Sequence, residues 1–321
     1  MMRILLTGAS GFVGSAVQAR LLDSRDVTLR SAYRQLPGQP RPNLQVCQVG
    51  ALDPDTDWQA SLVDIQVVIH CAARVHVMEE TDADPLAAFR RANVQGTLQL
   101  ARQAAEAGVR RFIYLSSIKV NGECTQPGQA YTANDPPAPL DPYGVSKQEA
   151  EQGLLALAEQ TGMEVVIIRP VLVYGPGVRA NFLSMMNWLS KGVPLPLGSI
   201  TNKRSLVGLD NLVDLIVTCI EHPGAANQVF LVSDGEDLST SELLHRMGRA
   251  LERPARLLPM PMWLLGCAAS LLGRKSIHQR LCGSLQVDIE KTRMLLDWTP
   301  VTDVDSQLKK TAEYFLEQRK R

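Results

Sequence analysis

Arg3-Ile4-Leu5-Leu6-Thr7-Gly8-Ala9-Ser10-Gly11-Phe12-Val13-Gly14 is the stretch whose reading decides the fold. A short apolar run leads into a turn with glycines at Gly8, Gly11 and Gly14, and a helical stretch, Ser15 to Leu22, follows. A strand, a turn bare of side chains and a helix, in that order, let backbone N–H groups approach a pyrophosphate, with the helix N-terminus facing its negative charge. The same glycines serve a tight strand-to-helix turn that binds nothing. The remainder of the chain separates the two readings.

The 321 residues suffice for one large α/β unit or two domains. Lys plus Arg equals Asp plus Glu at 33 each, so no basic excess points to nucleic acid. Six cysteines (Cys47, Cys71, Cys124, Cys219, Cys267, Cys282) are scattered without a C-x-x-C pair. They read as free thiols in a reducing cytoplasm, and no metal site is expected. The N-terminus enters a strand directly, with no signal peptide. The longest apolar stretch, Met260 to Leu272, is short of the ~20 residues of a spanning helix and reads as a packed helix. Contact with a membrane surface or a partner is its other reading.

Strands are expected at Val27–Tyr33, Leu44–Val49, Val67–Ala73, Arg111–Ser117 and Met163–Pro170, with helices at Pro85–Ala107 and from Pro142. This alternation, without repeats, predicts an α/β fold with a doubly wound parallel Rossmann sheet and a smaller C-terminal substrate-binding lobe. The expected division is 1–175 for the cofactor domain, with segments about 205–234 returning to it, and 176–204 with 235–321 for the substrate lobe. At the end of the second strand, where an acid would bind a ribose 2′-hydroxyl, the chain has Arg30 and Arg34 instead, which favours NADP(H) over NAD(H). Leu52 and Asp53 are candidate adenine-side contacts. Cys71, Ala72 and Ala73 are small enough for a dinucleotide to lie over the strand end. His70, flanked by apolar residues, reads as structural, whereas Arg74 and His76 lie where substrate could pass.

Tyr143 and Lys147, four apart, share one helix face. An ammonium near the phenol, together with an oxidised nicotinamide, favours the phenolate, and such a tyrosine trades a proton with a substrate oxygen near neutral pH. Ser117, ending a strand 26 residues earlier, could hydrogen-bond the same oxygen. A lone Y-x-x-x-K is weak; the ordered set of glycine turn, Ser116-Ser117 and Y-x-x-x-K is far more specific.

On these residues the chain resembles the extended short-chain dehydrogenase/reductases, in their sugar-nucleotide epimerase/dehydratase branch. The carrying motifs are Thr7 to Gly14, Val68 to Ala73, Asn93-Val94-Gln95-Gly96-Thr97, Leu115-Ser116-Ser117, Tyr143 to Lys147, and Arg169-Pro170 with Tyr174-Gly175-Pro176-Gly177. The resemblance implies catalytic roles for Ser117, Tyr143 and Lys147. It implies cofactor contacts from Gly8, Ser10, Gly11, Phe12, Val13, Gly14, Asn93, Lys147 and Pro170, with Asn93 mainly a structural tie. It also implies a UDP-sugar substrate whose diphosphate meets Arg204, with Asn181, Lys119 and Arg280 as further substrate contacts, and a homodimer. Dehydratases of the family carry an Asp-Glu pair after the catalytic hydroxyl; Ile118 and Lys119 stand there, which argues against water elimination. Val120-Asn121-Gly122 replaces a frequent Val-Tyr-Gly, a departure from UDP-galactose 4-epimerase.

The run Ser116 to Glu123, with Lys203 to Asn211 and the apolar 260–272 segment, is similar to bacterial C4-ketoreductases of surface-polysaccharide (O-antigen) synthesis, the WbpV-like group. The implied reaction is NAD(P)H-dependent reduction of a UDP-4-keto-6-deoxy-N-acetylhexosamine to UDP-N-acetylquinovosamine or UDP-N-acetylfucosamine. A UDP-sugar C4-epimerase with tightly held NAD is the alternative. A non-catalytic NADP(H)-binding protein is a third reading, weakened by the presence of both Tyr143 and Lys147.

Overall fold

The computed structural model describes residues 1–38, 44–75, 84–271, 279 and 281–320. His76 and Arg280, both expected at the substrate, lie outside the described residues.

In chain order the strands are β1 (Met2–Thr7), β2 (Val27–Tyr33), β3 (Gln45–Gln48), β4 (Val67–His70), β5 (Arg111–Leu115), β6 (Glu164–Pro170), β7 (Leu172–Tyr174), β8 (Arg204–Gly208), β9 (Gln228–Val232) and β10 (Asp237–Leu238). The helices are α1 (Phe12–Leu22), α2 (Gln59–Leu62), α3 (Pro85–Phe89), α4 (Thr97–Glu106), α5 (Pro142–Thr161), α6 (Ala180–Ser190), α7 (Leu209–Glu221), α8 (Thr240–Ala250), α9 (Met262–Leu271), α10 (Glu290–Leu296) and α11 (Val304–Lys320).

Seven strands form one sheet in the order β3-β2-β1-β4-β5-β6-β9, and every neighbouring pair is parallel. Strands covered on both faces read as continuous apolar runs, and Val67-Val68-Ile69 and Val165 to Ile168 are fully buried. The strand order reverses between β1 and β4, which opens a crevice at their carboxyl ends, the usual ligand position in doubly wound sheets. A second sheet, β10-β8-β7, stands on the C-terminal side. Its strand β8 comes from the segment expected to return to the main sheet, whereas β9 does join that sheet. A separate apolar cluster beneath the small sheet gathers Phe182, Met186, Leu206, Leu244, Leu308 and Phe315.

Two expectations change. The single helix over Pro85–Ala107 is interrupted by a π-helical segment, Arg90–Gly96. The wider turn re-aims Asn93, whose side chain reaches the backbone of Arg74 and the Ser146 hydroxyl. The apolar 260–272 segment, expected to pack, forms α9 with Met262, Trp263 and Leu264 exposed. Leu265 of the same helix packs against the C-terminal core cluster.

Candidate active site

The glycine turn sits at the β1–β4 crevice. Gly8 has φ +74°, and a Cβ there would lie 2.6 Å from the Ala72 backbone nitrogen. A Cβ on Gly14 would lie 2.1 Å from the Gly8 carbonyl oxygen. Both positions therefore exclude side chains, and α1 starts hard against the end of β1. Gly11 caps α1 without any side-chain hydrogen bond, and Ser10 and Gly11 are exposed. The first-turn N–H groups, including those of Phe12 and Val13, thus have no capping side chain competing for them, which fits a dinucleotide pyrophosphate. Beside them, Cys71, Ala72 and Ala73 follow β4, and Pro170 ends β6. The Ala72 N–H donates to the Thr7 hydroxyl at 3.3 Å.

His70 is a core residue. Its two ring nitrogens meet the Thr7 and Thr97 hydroxyls at 2.7 and 3.0 Å. Burial, reinforced by the Lys147 charge, pushes its pKa down to about 3, so the ring is neutral. Arg30 turns away from the crevice and donates to the carbonyls of Ser61 and Val63 and to Gln45. Arg34 is exposed just beyond β2. Leu52 and Asp53 are half-buried, and Arg91 grips the Asp53 carboxylate at 2.7 and 3.0 Å.

Ser117 follows β5, and its hydroxyl accepts from the Lys119 N–H at 3.3 Å. Tyr143 and Lys147 occupy the first two turns of α5, which Asp141 caps by accepting from the Gly144 N–H at 2.7 Å. A Cβ at Gly144 would lie 2.9 Å from the Lys119 carbonyl oxygen, so the turn carrying Ser117 lies against the turn carrying Tyr143. Lys147 Nζ donates to the Leu115 carbonyl at 2.8 Å and stands 5.9 Å from the Tyr143 ring centroid. The three expected catalytic residues thus converge on the carboxyl end of β5.

Burial lowers the Lys147 pKa to about 8, with Glu151 opposing the shift. Burial, and secondarily the Asp141 charge, push the Tyr143 phenol up rather than down. The lowered phenol expected from the sequence is therefore not found in the chain by itself, because burial outweighs the nearby Lys147 charge.

Three features around these residues escaped the sequence reading. Glu151, one turn beyond Lys147, is buried and bonded to the Ser116 hydroxyl. Arg169 clamps the same carboxylate at 2.5–3.1 Å and donates to Asn121 Oδ1 at 2.9 Å. Phe89 meets the Tyr143 ring edge-on at 6.0 Å and carries the Arg74 guanidinium over its face at 5.6 Å. The i, i+4 continuation of the Tyr143–Lys147 stripe to Glu151 was the available signal.

On the substrate side, Arg204 opens β8 with its guanidinium donating to the Gly283 carbonyl at 3.0 Å, and burial lowers its pKa. Asn181 is exposed on the first turn of α6. Lys119 is taken up by ion pairs with Asp141 and Glu123. Among the described residues no cluster of His, Cys, Asp or Glu could hold a metal.

A sequence model described as the NAD dependent epimerase/dehydratase family matches residues 4–233. The chain is 50% identical over 319 residues to a UDP-glucose 4-epimerase of Vibrio cholerae, covering 99% of this chain and 97% of that one. It is 26% identical over 328 residues to an N-acetyl-alpha-D-glucosaminyl-diphospho-ditrans,octacis-undecaprenol 4-epimerase of Escherichia coli O157:H7, covering 97% and 94%. In fold it matches the crystal structure of a UDP-glucuronic acid 4-epimerase from Bacillus cereus in complex with NAD, with a TM-score of 0.78 at 21% identity and 99% of each chain covered.

Proposed function

This chain belongs to the NAD dependent epimerase/dehydratase family, as an enzyme of the extended short-chain dehydrogenase/reductase type, and we propose that it epimerises a UDP-hexose at C4. The observation that carries the proposal is the 50% identity to a UDP-glucose 4-epimerase across both sheets and nearly the whole chain. This reverses the order of the two reactions weighed from the sequence, where C4 reduction stood first. Ile118 and Lys119 after Ser117 leave no carboxylate pair for dehydration.

In this reading Gly8 to Gly14, Ala72 and Pro170 hold a nicotinamide dinucleotide, which when bound supplies the acceptor and donor of the C4 hydrogen. Tyr143 takes the C4 hydroxyl proton and returns it to the same oxygen. Ser117 hydrogen-bonds that oxygen and fixes its distance from the phenol. Lys147 keeps positive charge beside the phenol, and Arg204 pairs with the diphosphate, which a guanidinium can grip through two oxygens.

Net reduction of a UDP-4-keto-6-deoxy-N-acetylhexosamine is the second reading. It is favoured by Arg34, exposed past β2 where an adenosine 2′-phosphate would be met. Purified protein incubated with UDP-glucose, UDP-N-acetylglucosamine and the 4-keto sugar, each with NAD, NADH or NADPH, separates the two. Interconversion of C4 epimers without net change in cofactor absorbance is expected. Stoichiometric oxidation of NADPH by the keto sugar, with no epimer interconversion, would replace the proposal by the reductase.

A further inference from the structure

The segment from Arg253 to Val287 is unlike the rest of the chain. The protein is formally neutral, yet these residues carry Arg253, Arg256, Arg274, Lys275 and Arg280 and not one Asp or Glu. The same segment contains α9, Met262–Leu271, whose sequence has no charged residue. A helix apolar all round is normally covered on all sides. Here Leu265 packs against the core cluster, while Trp263 is 70% exposed, Leu258 53%, Leu264 39% and Met262 36%. Arg253 and Arg256 are exposed just ahead of this patch. The ribbon is anchored to Leu195, whose N–H donates to the Arg256 carbonyl at 2.9 Å and whose carbonyl accepts from the Leu258 N–H at 2.8 Å.

We propose that the exposed ribbon Arg253–Leu264 is a docking surface for an anionic lipid membrane. Trp, Met and Leu side chains would enter the headgroup–acyl boundary while Arg253 and Arg256 meet lipid phosphates. At ten residues α9 is about 15 Å long, which suits lying in the interface and not crossing the bilayer. Charge complementarity selects this occupant. A second copy of the chain would bring the exposed Arg253 and Arg256 against their own copies if it docked through this patch. The protein would therefore work at a membrane surface.

Full-length protein sedimented with phosphatidylcholine vesicles, with and without phosphatidylglycerol, tests this. Binding to the anionic vesicles is expected, weaker by roughly thirty-fold for the Arg253→Glu, Arg256→Glu double variant. Trp263→Glu should lower binding by at least about tenfold. Raising salt should weaken what charge contributes. All variants should keep the epimerase turnover of the parent on a water-soluble UDP-sugar, which reports their folding. Equal, negligible sedimentation with both vesicle types would overturn the proposal. So would an oligomer in vesicle-free solution that Trp263→Glu dissociates, since a protein would then cover the patch.

Discussion

Around Gly8 the chain touches itself through backbone, whereas around Arg204 the site is assembled from side chains and carbonyls far apart in sequence. At the cofactor end, Gly8 lies against Ala72 and Gly14 against Gly8, and Lys147 is bonded to the carbonyl of Leu115. At the substrate end of the proposed site, the Arg204 guanidinium finds a partner 79 residues away, at the Gly283 carbonyl. Backbone contacts of this kind tolerate almost no substitution, so one end of the site is rigid and shared with many chemistries. In the proposed reaction the other end is where a particular substrate is selected.

The comparison breaks most visibly at Tyr143. Tyr143→Phe should lower turnover by about 10²–10⁴-fold while dinucleotide affinity, measured by equilibrium titration, stays near that of the parent. Near-normal turnover would remove the phenol from the chemistry. Next in size is the buried carboxylate behind it. Glu151→Ala leaves the Arg169 guanidinium uncompensated in the core and should cost about 3–5 kcal/mol in denaturant unfolding. Glu151→Gln keeps a partner for Ser116 and should cost less. Equal stability of Glu151→Ala and parent would mean the pair does not hold the end of β5.

Acid exposes the same end more gently. His70 resists protonation down to about pH 3 in the folded chain, while an unfolded histidine accepts a proton near 6.5. The unfolded state therefore binds the extra proton as pH falls below 6.5, and stability is lost in that direction, by about 2 kcal/mol at pH 5. Melting curves between pH 7 and 5 should show this slope, and a His70→Asn variant should show less of it. The smallest effect is expected at the substrate end. Arg204→Lys keeps the charge but loses the two-pronged grip, and should raise KM about tenfold with kcat and dinucleotide affinity little changed. A change confined to kcat would contradict a diphosphate role.

The same contrast explains what could be read from the sequence. The parallel Rossmann sheet was legible because buried strands and a glycine turn are local patterns, and Ser117, Tyr143 and Lys147 followed as an ordered set. The π-helical segment was not legible, since Asn93 gains its aim from Arg74 and Ser146 and not from its neighbours in sequence. The sign of the Tyr143 shift depends on burial, which composition does not report. The apolar run at 260–272 announces a helix but not whether anything covers it. Arg169 could be noticed in Arg169-Pro170, yet its partner Glu151 is fixed only when α5 lies across β6. Choice of reaction is hardest, because the same three residues serve one-way reduction and two-way epimerisation.

That choice is tested most directly by incubating the enzyme and NAD with UDP-glucose in D2O and examining the C4 position of the product by NMR. Epimerisation through a bound dinucleotide predicts UDP-galactose whose C4 hydrogen comes from the substrate, with no deuterium on that carbon. Deuterium at C4, or no epimer at all, would contradict it.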